Sequence, residues 1–351
     1  MAGFPGETIP EELRAVAREY DLGGVILFGR NVEAPEQVAE LAHDAQAMCS
    51  ELPLWVSIDQ EGGRVARLRE PFTVWPPMCT LGRSGEVSLA RRFARALARE
   101  LRAVGVSLDY APVLDVHSNS DNPVIGDRAL SSEADDVARL GAAIIEGLQR
   151  EGVAACGKHF PGHGDTSADS HHELPVVEHP PERLREVELV PFKAAVASDV
   201  AMIMTAHVLY PALDAEHPAT LSRYVVTEML RQDLGFTGLI ATDDLSMQAI
   251  TADRSVESAA VASIGAGCDL LLLCEPDVEQ QVRAVEALIR AVESEVLPMA
   301  RVEDALERQQ HVKARFLTGT RRRRPLPASE LRAVLSCDEH TAVADEMEQF
   351  A

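Results

Sequence analysis

The 351-residue chain is 46% hydrophobic, enough for a large core, and carries a formal net charge of −23 from 33 basic and 56 acidic residues. Binding along a phosphate backbone wants the opposite sign, so nucleic acid and anionic membrane surfaces are poor partners. Aromatics are only 4% of the residues, so aliphatic side chains must fill most of the interior.

Taken in order, Met1-Ala2-Gly3-Phe4 reads as the tail of a strand, turned by Pro5-Gly6. A helix over Pro10–Tyr20 leads to the apolar run Val25–Phe28, which ends at Gly29-Arg30-Asn31. The unit then repeats. Helix Pro35–Met48 precedes strand Leu54–Ile58 and the polar stretch Asp59-Gln60-Glu61-Gly62-Gly63-Arg64. Helix Val87–Val104 precedes Val106–Tyr110 and Ala111-Pro112-Val113-Leu114-Asp115. Helix Glu133–Glu151 precedes Val153–Cys156. Helix Pro181–Ala197 precedes Val200–Met204 and Thr205-Ala206-His207. Helix Ser222–Leu234 precedes Leu239–Ala241 and Thr242-Asp243-Asp244. Helix Ser255–Ala266 precedes Asp269–Leu273, and helices Val278–Val292 and Met299–Phe316 follow.

Eight short strands alternate with helices, and they are continuous apolar runs, as when both faces of a sheet are covered. The predicted fold is α/β, a single (β/α)8 TIM-type barrel with an irregular or shortened first strand. An open doubly wound sheet is the alternative, but Phe28-Gly29-Arg30-Asn31 is no dinucleotide fingerprint. The expected division is a catalytic barrel over residues 1–317 and a C-terminal extension over 318–351. That extension holds four arginines at 321–324, Pro325-Leu326-Pro327, a short helix over Ala328–Leu335 and an acidic tail. The arginine run reads as solvated, or as pairing with the acidic surface of the same molecule.

Six cysteines, at 49, 79, 156, 268, 274 and 337, form no CxxC, and three lie in apolar runs. Free thiols in a reducing, cytoplasmic setting are expected. No basic region followed by an apolar stretch opens the chain, and no run reaches the length of a membrane span.

Asp59, Asp115, Lys158, His159, His207 and Asp243 all fall at or just past the C-terminal ends of predicted strands. In a barrel those ends share one face, so six separated residues converge. The densest stretch is Gly157–His172, with four histidines, two aspartates and a lysine in sixteen residues. Its histidines match no zinc spacing, because Pro161-Gly162 breaks any helix there, so no metal and no cofactor are expected. After strand Leu239–Ala241, one member of the Asp243-Asp244 pair reads as a candidate nucleophile and the other as a structural acceptor or cap.

Lys158-His159-Phe160-Pro161-Gly162-His163-Gly164, Asp169-Ser170-His171 and Thr242–Met247 together resemble family 3 glycoside hydrolases, specifically the β-N-acetylhexosaminidase branch of bacterial cell-wall recycling. Gly23–Asn31, Asp59–Val65 and Ala206-His207-Val208 agree, and the motifs occur in the family's order from residue 3 to about 317. The resemblance implies a retaining exo-hydrolase that removes terminal non-reducing β-linked N-acetylglucosamine from muropeptides or related conjugates. It implies Asp243 as nucleophile, His171 as acid/base and Asp169 as its partner, with Asp59, Arg67, Arg128, Lys158 and His159 binding the sugar. Arg64 and His163 are expected to hold loops in shape. The chemistry is consistent: a histidine can give and take a proton near neutral pH, and a carboxylate two residues earlier can fix its tautomer. Asp-x-His spacing selects His171 over His172. The alternatives are a β-glucosidase or glycoside phosphorylase of the same family, or a non-catalytic sugar-binding barrel. The expected partner is a small carbohydrate, and the expected assembly a monomer, with a dimer as the alternative.

Overall fold

The computed structural model describes residues 1–48, 53–317 and 325–351, so Cys49 and the arginine run 321–324 lie outside the described residues. Its strands are β1 Gly24–Leu27, β2 Trp55–Ile58, the short hairpin β3 Gln60–Gly62 with β4 Val65–Ala66, β5 Leu108–Asp109, β6 Ala154–Phe160, β7 Met202–Thr205, β8 Leu239–Asp244 and β9 Leu270–Leu272. All but the hairpin form one parallel sheet in the order β1-β2-β5-β6-β7-β8-β9.

The seam between the two ends of that sheet is closed by the first residues of the chain. Ala2 bridges Val25 of β1 on one side and Leu273, just past β9, on the other, both in parallel. Its amide donates to Gly24 (3.0 Å), its carbonyl accepts from Ile26 (3.1 Å), and the Gly3 amide donates to Leu273 (2.8 Å). The expected barrel is therefore present, with its first strand reduced to these few bonds. Gly3 is required there, because a Cβ would lie 2.1 Å from the carbonyl oxygen of Cys274. Phe4, fully buried, anchors the segment in the core between barrel and helices.

Inside the barrel, Ile26, Trp55, Leu108, Tyr110, Cys156, Met202, Met204, Leu239 and Leu272 form a separate apolar cluster. Trp55 donates its indole N–H to Gln309 (3.2 Å), so a buried polar group near the floor is satisfied. The outer ring contains helices α1 Glu11–Tyr20, α2 Pro35–Gln46, α3 Cys79–Ser84, α4 Val87–Ala103, α5 Ala134–Arg150, α6 Pro181–Glu186, α7 Leu189–Ala197, α8 Gln248–Thr251, α9 Val256–Ala266, α10 Val278–Glu293 and α11 Met299–Phe316. Tyr224–Asp233, between β7 and β8, is wound as a π-helix. α4 shows the logic of the ring: Leu89, Phe93, Leu97 and Leu101 recur every four residues and are all buried.

Three expectations need correction. β6 does not stop at Cys156 but continues through Gly157-Lys158-His159 to Phe160. It can do so because Leu114 donates to the Lys158 carbonyl (2.6 Å) and Ala206 donates to that of Phe160. The helix expected over Pro181–Ala197 is two helices. Pro191 has no N–H to give to Val187, and Glu188 at the break turns its side chain inward. The acidic tail is also more than a tail. After α12 Ala328–Val334, residues Asp338–Glu348 form α13, which buries His340, Val343 and Met347. Their spacing is helical, and the acidic Asp338 and Glu339 suit a helix N-terminus.

Candidate active site

A charged cluster grows from β2 and β6. Asp59 follows β2, Glu61 lies in the hairpin, and Lys158 projects from β6. The Lys158 ammonium lies 2.8 Å from Asp59 Oδ1 and 2.7 Å from Glu61 Oε1. Burial alone would push Lys158 toward the neutral amine, but Asp59 and Glu61 outweigh it and hold its pKa above the ordinary value. Arg128 grips Glu61 through Nε and Nη2, both at 2.8 Å, the bidentate geometry of a guanidinium–carboxylate pair. Burial opposes the ionised form of Glu61, yet Arg128 and Lys158 together hold its pKa far below the usual carboxylate range. Arg67 stands at the edge, 3.5 Å from Asp59 Oδ2.

The hairpin that carries these groups needs two glycines at its turn. Gly62 and Gly63 have φ of +109° and +55°, and a Cβ on either would run into Met78 or Pro77. Arg64, next in line, donates to the carbonyl of Val124 (2.5 Å) and pairs with Asp127 (3.0 Å), so it ties the hairpin to the loop that carries Arg128.

Asp115 organises the middle of the site. Its Oδ2 meets His159 Nδ1 at 2.7 Å, while Oδ1 accepts from the His163 amide at 2.6 Å. Burial works against the Asp115 carboxylate, but the two histidines outweigh it and its pKa is lowered. His207, at the end of β7, does not face the substrate side as a free base. Nε2 lies 2.9 Å from the Asp244 carbonyl and Nδ1 2.8 Å from Thr220 Oγ1. Burial lowers its pKa, and its two bonds support the turn after β8.

The two adjacent aspartates at the end of β8 differ in their hydrogen-bond partners. Asp244 accepts the amides of Ser246 and Cys274, both at 3.1 Å, and so fastens the end of β8 to the exit of β9. Burial raises its pKa. Asp243 accepts the Asp244 amide at 2.8 Å. Burial pushes against its charge, but His159, His207, that amide and Lys158 prevail and hold the carboxyl below its ordinary range.

Asp169 and His171 lie in the loop after β6, paired at 2.7 Å through Asp169 Oδ1 and His171 Nδ1. His171 is 62% exposed at the side chain. His172 is exposed too, and its amide donates to the Asp169 carbonyl (2.9 Å). Asp59, Arg67, Arg128, Lys158, His159, Asp169, His171 and Asp243 all line one cavity of about 360 Å³, a size that suits a small polar ligand. Among the described residues no group of three or more His, Cys, Asp or Glu is arranged to hold a metal ion.

Sequence reasoning left Glu61 and Gln60 without roles. Glu61 shares a motif with Asp59, and its burial beside two cations emerges only when β6 and the 124–128 loop are brought against the hairpin. Gln60 uses Oε1 to accept the amides of Arg67 (2.7 Å) and Leu68 (2.9 Å), fixing the strand that presents Arg67.

The family profile described as "Glycosyl hydrolase family 3 N terminal domain" matches residues 4–312. A β-hexosaminidase of Nitrosomonas eutropha is 39% identical over 330 residues, covering 91% of this chain and 94% of its own. Among solved structures, a family 3 β-N-acetylglucosaminidase from Paenibacillus sp. superposes with a TM-score of 0.95 at 42% identity over the whole of this chain, which spans 66% of that longer one. NagZ from Neisseria gonorrhoeae, in complex with N-trifluoroacetyl-D-glucosamine, gives a TM-score of 0.81 at 32% identity, covering 100% of this chain and 97% of its own. With the profile spanning nearly the whole barrel and relatives this similar over most of their length, the chain belongs to glycoside hydrolase family 3.

Proposed function

We infer that the protein is a retaining exo-β-N-acetylhexosaminidase acting on terminal non-reducing β-linked N-acetylglucosamine. The observation that carries this reading is the meeting, in one cavity, of an ionised carboxylate on β8 and a carboxylate-paired histidine on the loop after β6. The similarity to a β-hexosaminidase of Nitrosomonas eutropha and to a β-N-acetylglucosaminidase of Paenibacillus sp. supports it.

In the first step an Asp243 oxygen attacks the anomeric carbon. The glycosidic C–O bond breaks, and the leaving oxygen takes the proton from His171 Nε2. Asp169, on Nδ1, favours the charged ring and fixes its orientation. In the second step His171, now neutral, removes a proton from water as the water oxygen attacks the anomeric carbon. The ester bond to Asp243 then breaks, and carboxylate and protonated histidine are both restored. Lys158, Asp59, Arg128, Arg67 and His159 bind sugar hydroxyls and the acetamido arm. Asp115 fixes His159 so that Nε2 is the nitrogen left for substrate.

The natural substrate is a muropeptide, hydrolysed in the cytoplasm. Arg30, exposed where it lines the cavity and hydrogen-bonded, among the described residues, only to backbone carbonyls, suits an aglycone that carries a carboxylate. No described helix is long and apolar enough to cross a membrane. Release of an aryl aglycone from aryl β-N-acetylglucosaminide, measured with and without inorganic phosphate, tests the activity. Equal rates in the two buffers are expected. Acceleration by phosphate with formation of a sugar phosphate would make the enzyme a phosphorylase, and no turnover by folded protein would leave a sugar-binding barrel.

A further inference from the structure

We propose that Ser170 is the positioning residue of the acid/base pair, pinned by His163 on one side and by the backbone of Ala249 on the other. The inference deepens the reading of His171 as proton donor and rests on it.

Ser170 stands between the two members of the pair. It is 2% exposed, whereas the Asp169 and His171 side chains are 30% and 62% exposed. A buried hydroxyl is unfavourable unless it is bonded. Its Oγ lies 3.1 Å from His163 Nε2, and its carbonyl accepts the Ala249 amide at 3.2 Å. Ala249 belongs to α8, which follows the short turn after β8, the strand that ends in Asp243 and Asp244. One residue therefore ties the proton-donor loop to the segment just past β6 and to the helix after β8.

The direction of the His163 bond follows from its surroundings. The Thr166 hydroxyl donates to the His163 carbonyl (3.1 Å), so its oxygen, which also accepts from Asn122 Nδ2 (3.2 Å), is left to accept from His163 Nδ1, 2.7 Å away. Nδ1 then carries the ring hydrogen, and Nε2 accepts from the Ser170 hydroxyl at 3.1 Å. Burial lowers the His163 pKa to about 4, so the ring stays neutral in this tautomer at working pH. The His163 amide is in turn held by Asp115, the carboxylate that also orients His159. Gly164 allows the approach: a Cβ there would lie 1.8 Å from the Val116 carbonyl oxygen. Sugar contact and proton delivery thus share one buried anchor, while His171 itself stays exposed.

A pin of this kind predicts a defect in proton delivery rather than a general loss. Ser170→Ala, His163→Leu and His163→Gln are compared with His171→Ala over aryl β-N-acetylglucosaminides of graded leaving-group acidity. Ser170→Ala and His163→Leu are expected to lose about tenfold in kcat/KM on the phenyl glycoside and less than about twofold on the 2,4-dinitrophenyl glycoside. His163→Gln, which keeps an acceptor near Ser170, is expected to recover most of that loss. Equal losses on every leaving group would overturn the proposal, as would His163→Gln behaving like His163→Leu. Should Ser170→Ala fail to fold, the two His163 variants read the same contact. A flat series for His171→Ala would overturn the proton-donor reading and this proposal with it; a steep one beside a flat Ser170→Ala series would overturn the pin alone.

Discussion

Glu61 holds Arg128 through two parallel bonds of 2.8 Å, with only 1% of the glutamate side chain exposed. The same carboxylate carries Lys158 at 2.7 Å. Two cations that face the sugar cavity are therefore fixed by an anion set behind them. Without that anion they would be buried, mutually repelling charges.

Glu61→Gln is expected to destabilise the protein by about 3 kcal/mol at neutral pH and to raise KM more than it lowers kcat. The pH dependence has a definite sign. The folded pKa of Glu61 lies below its ordinary 4.5, so its contribution is complete above that value and is lost as pH falls through the folded one. The gap in melting temperature between wild type and Glu61→Gln should narrow between neutral pH and about pH 3. Calorimetry at both pH values checks it; a gap that widens in acid contradicts the assignment.

Asp243→Asn is expected to cut kcat by on the order of 10⁴ or more while leaving the melting temperature close to that of wild type. The complementary measurement is covalent trapping of the wild type with a fluorinated N-acetylglucosaminyl donor. Peptide mass analysis should place the label on Asp243. A label on Asp244 would fit poorly with its two backbone bonds and would reverse the assignment.

His171→Ala is expected to lose 10²- to 10⁴-fold, roughly, on substrates whose leaving group needs a proton, and far less on activated aryl glycosides. Steady-state kinetics across such a series is the check. The paired carboxylate makes a second forecast. Asp169→Asn should show the same trend more weakly, because it removes the negative charge beside Nδ1 but keeps an acceptor oxygen there and leaves the ring.

The C-terminal helices make a prediction of a different kind. Glu100 on α4 is 2% exposed and accepts from Thr73, from the Ser336 amide and from His340 Nδ1, the last two at 2.9 Å. His340→Ala leaves this buried carboxylate one donor short and is expected to lower stability by about 1–3 kcal/mol, with kcat unchanged. Thermal melts and kinetics on the same sample test it; an equal fall in kcat would tie the extension to catalysis.

Much of this was legible in the sequence, and the reasons can be traced to particular residues. Val25–Leu27, Met202–Met204 and Leu270–Leu272 read as strands because a strand covered on both faces has no polar alternation to confuse it. Asp59, Lys158 and Asp243 read as a site because charged residues at the end of buried strands are costly without a purpose. Asp338–Glu348 was hidden for the opposite reason: its charge masked the 340, 343, 347 spacing of its buried face. The break before Leu189 and the continuation of β6 to Phe160 were hidden because both depend on neighbours far away in the chain.

The sequence by itself determined the repeating strand–helix unit, the face on which the polar residues gather and the residue types available for chemistry, since periodicity and spacing are local properties. Tertiary structure alone decided the division of labour. It gave Asp244 the amides of Ser246 and Cys274 while Asp243 accepts, among the described residues, only the neighbouring Asp244 amide, made Glu61 the buried counter-ion of Arg128 and Lys158, and turned His207 into a support for the turn after β8. The physical reason is that burial, opposing charge and hydrogen-bond partners determine what an ionisable side chain does, and those come from strands that meet only when the barrel closes.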